Sequence, residues 1–141
     1  MKKLLYILVL GVVLFGCSKS DKTEEENSIT GNWKAEALIG SDGANRYVTP
    51  IENGQTIIFK NDDTFEVLDS SIECASGTYA ITEDSSQNFN MDIISLVCDN
   101  GNLIQYAFTF EEGKLLLSFI VADGSTGCDE ICAERYVKLP E

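Results

Sequence analysis

The sequence predicts an all-β domain. Three observations carry that expectation: short runs rich in Tyr, Phe, Ile, Val and Thr, their separation by Gly, Asn and Asp, and the lack of any window that keeps a helical period over three turns. The predicted strands are Asn32 to Ile39, Gln55 to Lys60, Thr64 to Leu68, Ser76 to Thr82, Asn88 to Cys98, Asn102 to Phe110, Lys114 to Ala122 and Glu134 to Leu139. Asn100-Gly101 separates two of these runs, and because both residue types tolerate positive φ, the pair suits a two-residue type I′ hairpin. Asn61-Asp62-Asp63 and Glu111-Glu112-Gly113 are equally short connections, so neighbours in sequence are expected to pair antiparallel. A sheet of about eight such strands twists strongly, and closing it removes the exposed edges. A small up-and-down antiparallel barrel is therefore expected, with an open sandwich as the alternative.

Alternation along each strand assigns an inward face to Trp33 and Ala35, Ile57 and Phe59, Phe65 and Val67, Tyr79 and Ile81, and Phe89, Met91, Ile93 and Val97. The runs from Leu103 to Phe110 and Leu115 to Val121 are apolar on both faces, which predicts a covered outer face or a contact there.

Ahead of the domain, Lys2 and Lys3 precede an uncharged stretch from Leu4 to Gly16, the layout of an export signal. Those thirteen residues would make a helix of roughly 20 Å, short of the ~30 Å hydrocarbon core of a bilayer. Leu14-Phe15-Gly16-Cys17 resembles the bacterial lipobox, which implies that residues 1–16 are removed and that Cys17 becomes the lipidated first residue. The acyl chains, at roughly 0.8 kcal/mol per methylene, would hold the protein on a membrane. Residues 17–27 then form an acidic tether with no apolar residue after Cys17 to bury. Its acidic run resembles the surface-export signals of Bacteroidetes-type lipoproteins, so the outer membrane is the expected location, at its periplasmic face or at the cell surface. Residues 28–141 suffice for one domain.

Loss of Lys2 and Lys3 leaves eight Lys and Arg against twenty-three Asp and Glu, a formal charge of −15. That balance argues against nucleic acid as a partner and leaves attachment to the membrane to the lipid on Cys17. It also admits a cationic protein partner. The chain has no histidine, which removes the commonest general base and most zinc sites, so a non-catalytic protein without a cofactor is expected. The carboxylate pairs Asp62-Asp63 and Glu111-Glu112, and the segments Asp42-Gly43, Asp99-Asn100-Gly101 and Asp123-Gly124, read as solvated turns, not as acid–base or calcium sites.

Four cysteines remain in the domain, an even number that suits disulfides in an exported protein. If the fourth and fifth strands turn back at Glu83 to Gln87, Cys74 falls opposite Cys98. Cys128 and Cys132 would then clip the loop before the last strand. Two longer links from Cys74 and Cys98 to that loop are the rival scheme, and a four-cysteine zinc site is a third reading.

Gly31-Asn32-Trp33 at the start of the first strand and Arg135 on the last resemble the lipocalin (calycin) pattern of a G-x-W opening and a late arginine. The match is similar to that of compact lipocalin-like lipoproteins of Bacteroidetes, whose runs look like Ile57-Ile58-Phe59-Lys60-Asn61-Asp62-Asp63-Thr64-Phe65. The resemblance implies that Arg135 packs over Trp33 and closes the barrel floor, a cation–π contact of about 0.5 to 2 kcal/mol. It also implies a binding protein for a small apolar ligand, with the loops at Ser41 to Asn53 and Asp123 to Cys132 bordering the mouth or the wall of any pocket. The competing expectation is an interaction or inhibitor module that presents disulfide-braced loops to an envelope or extracellular partner. A barrel this short leaves open whether it holds a cavity or is filled by its own side chains.

Overall fold

The computed structural model describes residues 28–68, 74–83, 92–120 and 131–140. Nine antiparallel strands run through them: β1 (Gly31–Ser41), β2 (Arg46–Pro50), β3 (Thr56–Phe59), β4 (Thr64–Leu68), β5 (Ser76–Glu83), β6 (Asp92–Cys98), β7 (Leu103–Glu111), β8 (Lys114–Phe119) and β9 (Ile131–Lys138). Strands β1 and β3 to β9 pair in sequence order, and β9 returns to β1, so eight strands close an up-and-down barrel. The extra strand, β2, was not predicted from the sequence. All five of its residues are exposed, so no buried face imposes an alternating pattern on it. The export signal, Cys17 and the tether lie outside the described residues.

β1 serves two partners along one edge, β3 beside Gly31–Lys34 and β2 beside Ala37–Ser41. The chain between those partners hugs β1. Ile51 N donates to Glu36 O at 2.8 Å and Ala35 N to Gln55 O at 2.9 Å. Gly54 is required there, because a Cβ would sit 1.9 Å from the Ala35 carbonyl oxygen. On the opposite edge the register against β9 shifts between Ala35 and Ala37, a bulge centred on Glu36.

The turns correct one expectation. At the β7–β8 hairpin Glu112 and Gly113 both have positive φ, 53° and 74°, and Glu111 faces Lys114, the two-residue type I′ geometry. At Asn100-Gly101 only the glycine is positive, at 87°. Gly101 N donates to Cys98 O and Cys98 N to Asn102 O, each at 2.8 Å, so a three-residue loop ends in a left-handed bulge residue. The β3–β4 turn repeats this form, with Asp63 at φ 61°.

Inside the barrel, Trp33, Ala35, Ile57, Phe59, Phe65 and Tyr79 are buried as alternation predicted, and Val67 packs against them. Strand β6 departs from the prediction: Ile94, Leu96 and Cys98 point inward, while Val97 is 48% exposed. The cause is register. Gly77 faces Cys98 and Tyr79 faces Leu96, three residues away from the frame that sets Cys74 opposite Cys98, and an odd shift exchanges the two faces of a strand. Ile93, half-buried, falls on the outer face with Val97 for the same reason. Ile81 shares the inward face with Tyr79 but is 44% exposed, near the end of β5. Phe89 and Met91 lie outside the described residues.

The Cys74–Cys98 disulfide forms despite the shifted register, with the Cα atoms 5.3 Å apart. Cys128 and the side chain of Cys132 lie outside the described residues, and with them the second predicted pair.

The doubly apolar character of β7 and β8 has a structural counterpart. Leu116 alternates with the core residues Leu115 and Leu117 and so faces outward, where it forms a second buried cluster with Ile39 and Ala133. Arg46 holds the β1–β2 ribbon against this face through two hydrogen bonds to Glu111, at 2.6 and 2.9 Å.

Candidate functional site at the barrel mouth

The two ends of the barrel differ in chemistry. At the end where β9 finishes, Trp33 is fully buried, its Nε1–H donates to Ile29 O at 2.6 Å, and its ring centre lies 5.9 Å from that of Phe110. The cation over the indole is Lys138, with Nζ 5.5 Å from the ring centre. Arg135 does not occupy that place. Register explains the exchange: Lys138 is directly opposite Trp33, whereas Arg135 pairs with Ala37 beyond the bulge and alternates with the inward Tyr136. The G-x-W opening acquires a physical reason here. Gly31 has φ 132°, and a Cβ on it would lie 2.7 Å from Cε of the lysine that covers the tryptophan.

Arg135 instead meets the bulge residue Glu36 on the outer face, with Nε 2.6 Å from Oε1. Its N–H does not point along that line, so the contact is an ion pair without an aligned hydrogen bond. Lys114 Nζ donates to the same oxygen at 2.7 Å. The Lys114 hydrogen bond, with the charge of Arg135 behind it, holds the Glu36 carboxyl below its ordinary range against the opposing effect of desolvation.

The half of the barrel away from Trp33 carries a polar group on its inner face. Leu115 and Leu117 are core residues, and their partners on β9 are Tyr136 and Glu134, so both of these point inward. The Tyr136 hydroxyl donates to Glu134 Oε2 at 2.5 Å, and Gln55 Nε2 donates to the Tyr136 hydroxyl at 2.9 Å. Gln55 Nε2 also lies 3.5 Å from Glu134 Oε2. Gln55 reaches the group because the Gly54 connection presses its backbone onto β1.

Tyr106, 8% exposed, completes the wall on β7, and its ring lies 4.7 Å from that of Phe119, which is 55% exposed at the rim. Burial, together with the nearby Glu134 charge, pushes the Tyr106 phenol up to about 12. The same two causes, with the Glu134 hydrogen bond, raise Tyr136 far above its ordinary value. Both phenols therefore stay protonated at neutral pH and serve as donors and apolar rings.

Neither Glu134 nor Gln55 was singled out from the sequence, although a charged residue two positions before a buried tyrosine on an alternating strand is the signal that marks such a site. Tyr106 lies within the run from Leu103 to Phe110 read as apolar on both faces, and it is part of the core. Among the described residues no group of three or more Cys, Asp or Glu is arranged to hold a metal ion. The arrangement gathers a carboxylate, an amide and two phenols in an apolar wall.

A concavity of about 460 Å³ lies on the outer face, floored by Ile39, Leu116 and Ala133 and edged by Arg46 and Glu111. The chain matches no family model, no curated protein and no solved structure.

Proposed function

We propose that this chain is a lipid-anchored, non-catalytic, lipocalin-like binding protein of the bacterial cell envelope, which takes a small and largely apolar ligand at the barrel mouth. The observation that carries the reading is the inward-facing Glu134–Tyr136–Gln55 group. A polar side chain inside an otherwise apolar barrel costs stability unless it is hydrogen-bonded, and a few fixed polar groups within apolar walls are what orient a ligand. Anchoring rests on the lipobox resemblance at Leu14 to Cys17, which attaches the domain to the outer membrane by the lipid at Cys17. The closed barrel and the G-x-W opening, with its cation over Trp33, support the lipocalin-like part of the reading.

Native mass spectrometry of the chain from Ser18 on, which contains every strand of the barrel, tests the binding function. An apolar adduct that disappears in organic solvent is expected. A bare mass, together with no thermal shift from a panel of small apolar compounds, would reject the reading.

A second reading, an interaction or inhibitor module, draws on the outer face. Strand β2 is exposed throughout, with Tyr47 at 39% and Val48 at 47%, beside the Arg46–Glu111 pair. That reading expects a salt-sensitive protein contact abolished by substitutions in β2 and indifferent to substitutions at Glu134.

A further inference from the structure

We propose that the ligand carries an organic ammonium group, seated at the mouth between the Glu134 carboxylate and the rings of Tyr106 and Phe119. This deepens the binding reading above and rests on the mouth being the site. The first ground is an unanswered charge. Glu134 is half-buried and faces the barrel interior, yet the cations in the described ion pairs go to Glu36, Glu66 and Glu111, and none goes to Glu134. Carboxylates withdrawn from water are ordinarily matched by a cation. Here the groups that reach it, Tyr136 and Gln55, are neutral, and both act on Oε2. Oε1 accepts a hydrogen bond from none of the described residues.

The surroundings select among cations. A metal ion needs several oxygen ligands, and a single carboxylate beside neutral phenols does not supply them. An ammonium on an apolar body suits the walls, because the faces of Tyr106 and Phe119 attract a positive charge and cover hydrocarbon equally well. An anionic head group would meet the Glu134 carboxylate directly. A formal charge of −15 on the chain after Gly16 raises the local concentration of cations and favours their capture.

The test is calorimetric titration of the chain from Ser18 on with three probes of one chain length: octyltrimethylammonium, octanol and octanoate, each below its micellar range. The expected order is the ammonium tightest, by about ten-fold over octanol, with octanoate weakest. Glu134→Gln, nearly isosteric, is expected to bring the ammonium down to the level of octanol and to leave octanol unchanged. Glu66→Gln, on the outside of the barrel, removes the same formal charge and is expected to alter neither. Octanol or octanoate binding as tightly as the ammonium would overturn the proposal while leaving a binding barrel in place. So would equal loss of ammonium affinity in the two variants, which would mark a diffuse charge effect. Absence of binding by all three probes would overturn the proposal together with the reading beneath it.

Discussion

Gly77 faces Cys98 across the β5–β6 ladder at a point with no room for a side chain: a Cβ on Gly77 would lie 2.0 Å from the Val97 carbonyl oxygen and 2.9 Å from Cα of Cys98. Gly77→Ala is expected to force β5 off β6 and to destabilise the domain by about 1–3 kcal/mol, the usual range for overpacking. Gly101→Ala is the comparison. Nothing lies within 4 Å of its Cβ, so only the positive φ is penalised, at about 1 kcal/mol. Urea unfolding of both variants orders the two costs; equal midpoints would show that the β5–β6 contact tolerates a methyl group.

The disulfide itself spans 24 residues. On the chain-entropy model, closing a loop of that length contributes about 3 kcal/mol, so Cys74→Ala/Cys98→Ala is expected to lower the urea midpoint accordingly. Both cysteines are 3% exposed, which predicts that a mild reductant opens the bond only when denaturant is present. Peptide mapping of alkylated Cys74, with and without urea, checks this. Ready alkylation of the native protein would mean that the core near Cys98 opens locally.

Strand existence was legible wherever one face is buried. β4 matches its predicted span, Thr64–Leu68, and the barrel closes in the expected order. β2 was invisible because Arg46–Pro50 has no buried face to write a pattern. The Cys74–Cys98 pairing was read correctly from a wrong register. Two cysteines can bond from positions that are not cross-strand neighbours, and the consequence of that register appears in Val97, assigned inward and found exposed. Arg135 and Lys138 show the same limit at the barrel floor. The sequence marks a late cation, but the β1–β9 register, which sets Lys138 opposite Trp33 and turns Arg135 outward beside the inward Tyr136, determines which one faces the indole. Glu134 was hidden in a different way. Its charge gave no reason to place it inside, and only its pairing with Leu117 reveals where it points.

Glu36 gives the barrel an acid-sensitive fastening. Its pKa is lowered in the folded state by the Lys114 hydrogen bond and the Arg135 charge, against desolvation. A depressed carboxyl contributes stability that is present above its unfolded pKa and is lost as pH falls through the folded one. Glu36→Gln is therefore expected to be less stable than the parent at pH 7, with the gap closing once the pH drops below the carboxylate range. Thermal unfolding of both chains from pH 7 to pH 3 measures the gap; a constant difference across that range would assign the effect to packing at the bulge and not to charge.

The phenols of Tyr106 and Tyr136 make the opposite prediction in alkali. An unperturbed tyrosine ionises near pH 10, whereas burial, aided by the Glu134 charge, moves Tyr106 to about 12 and Tyr136 higher still. Above pH 10 the unfolded chain releases phenolic protons that the folded barrel retains, so stability is complete below pH 10 and is lost as pH rises through the folded value. Ultraviolet titration should accordingly show a late wave from Tyr106 and Tyr136 that coincides with unfolding. Tyr106→Phe is expected to shrink the late wave and to make alkaline unfolding less steep. Glu134→Gln should draw the Tyr106 midpoint down while leaving it above 10, because desolvation, the larger cause, remains when the charge is gone. A Tyr106 midpoint unchanged by Glu134→Gln would show that the carboxylate is too well solvated to act across the mouth, and the same result would weaken its role as the counter-charge for a bound cation.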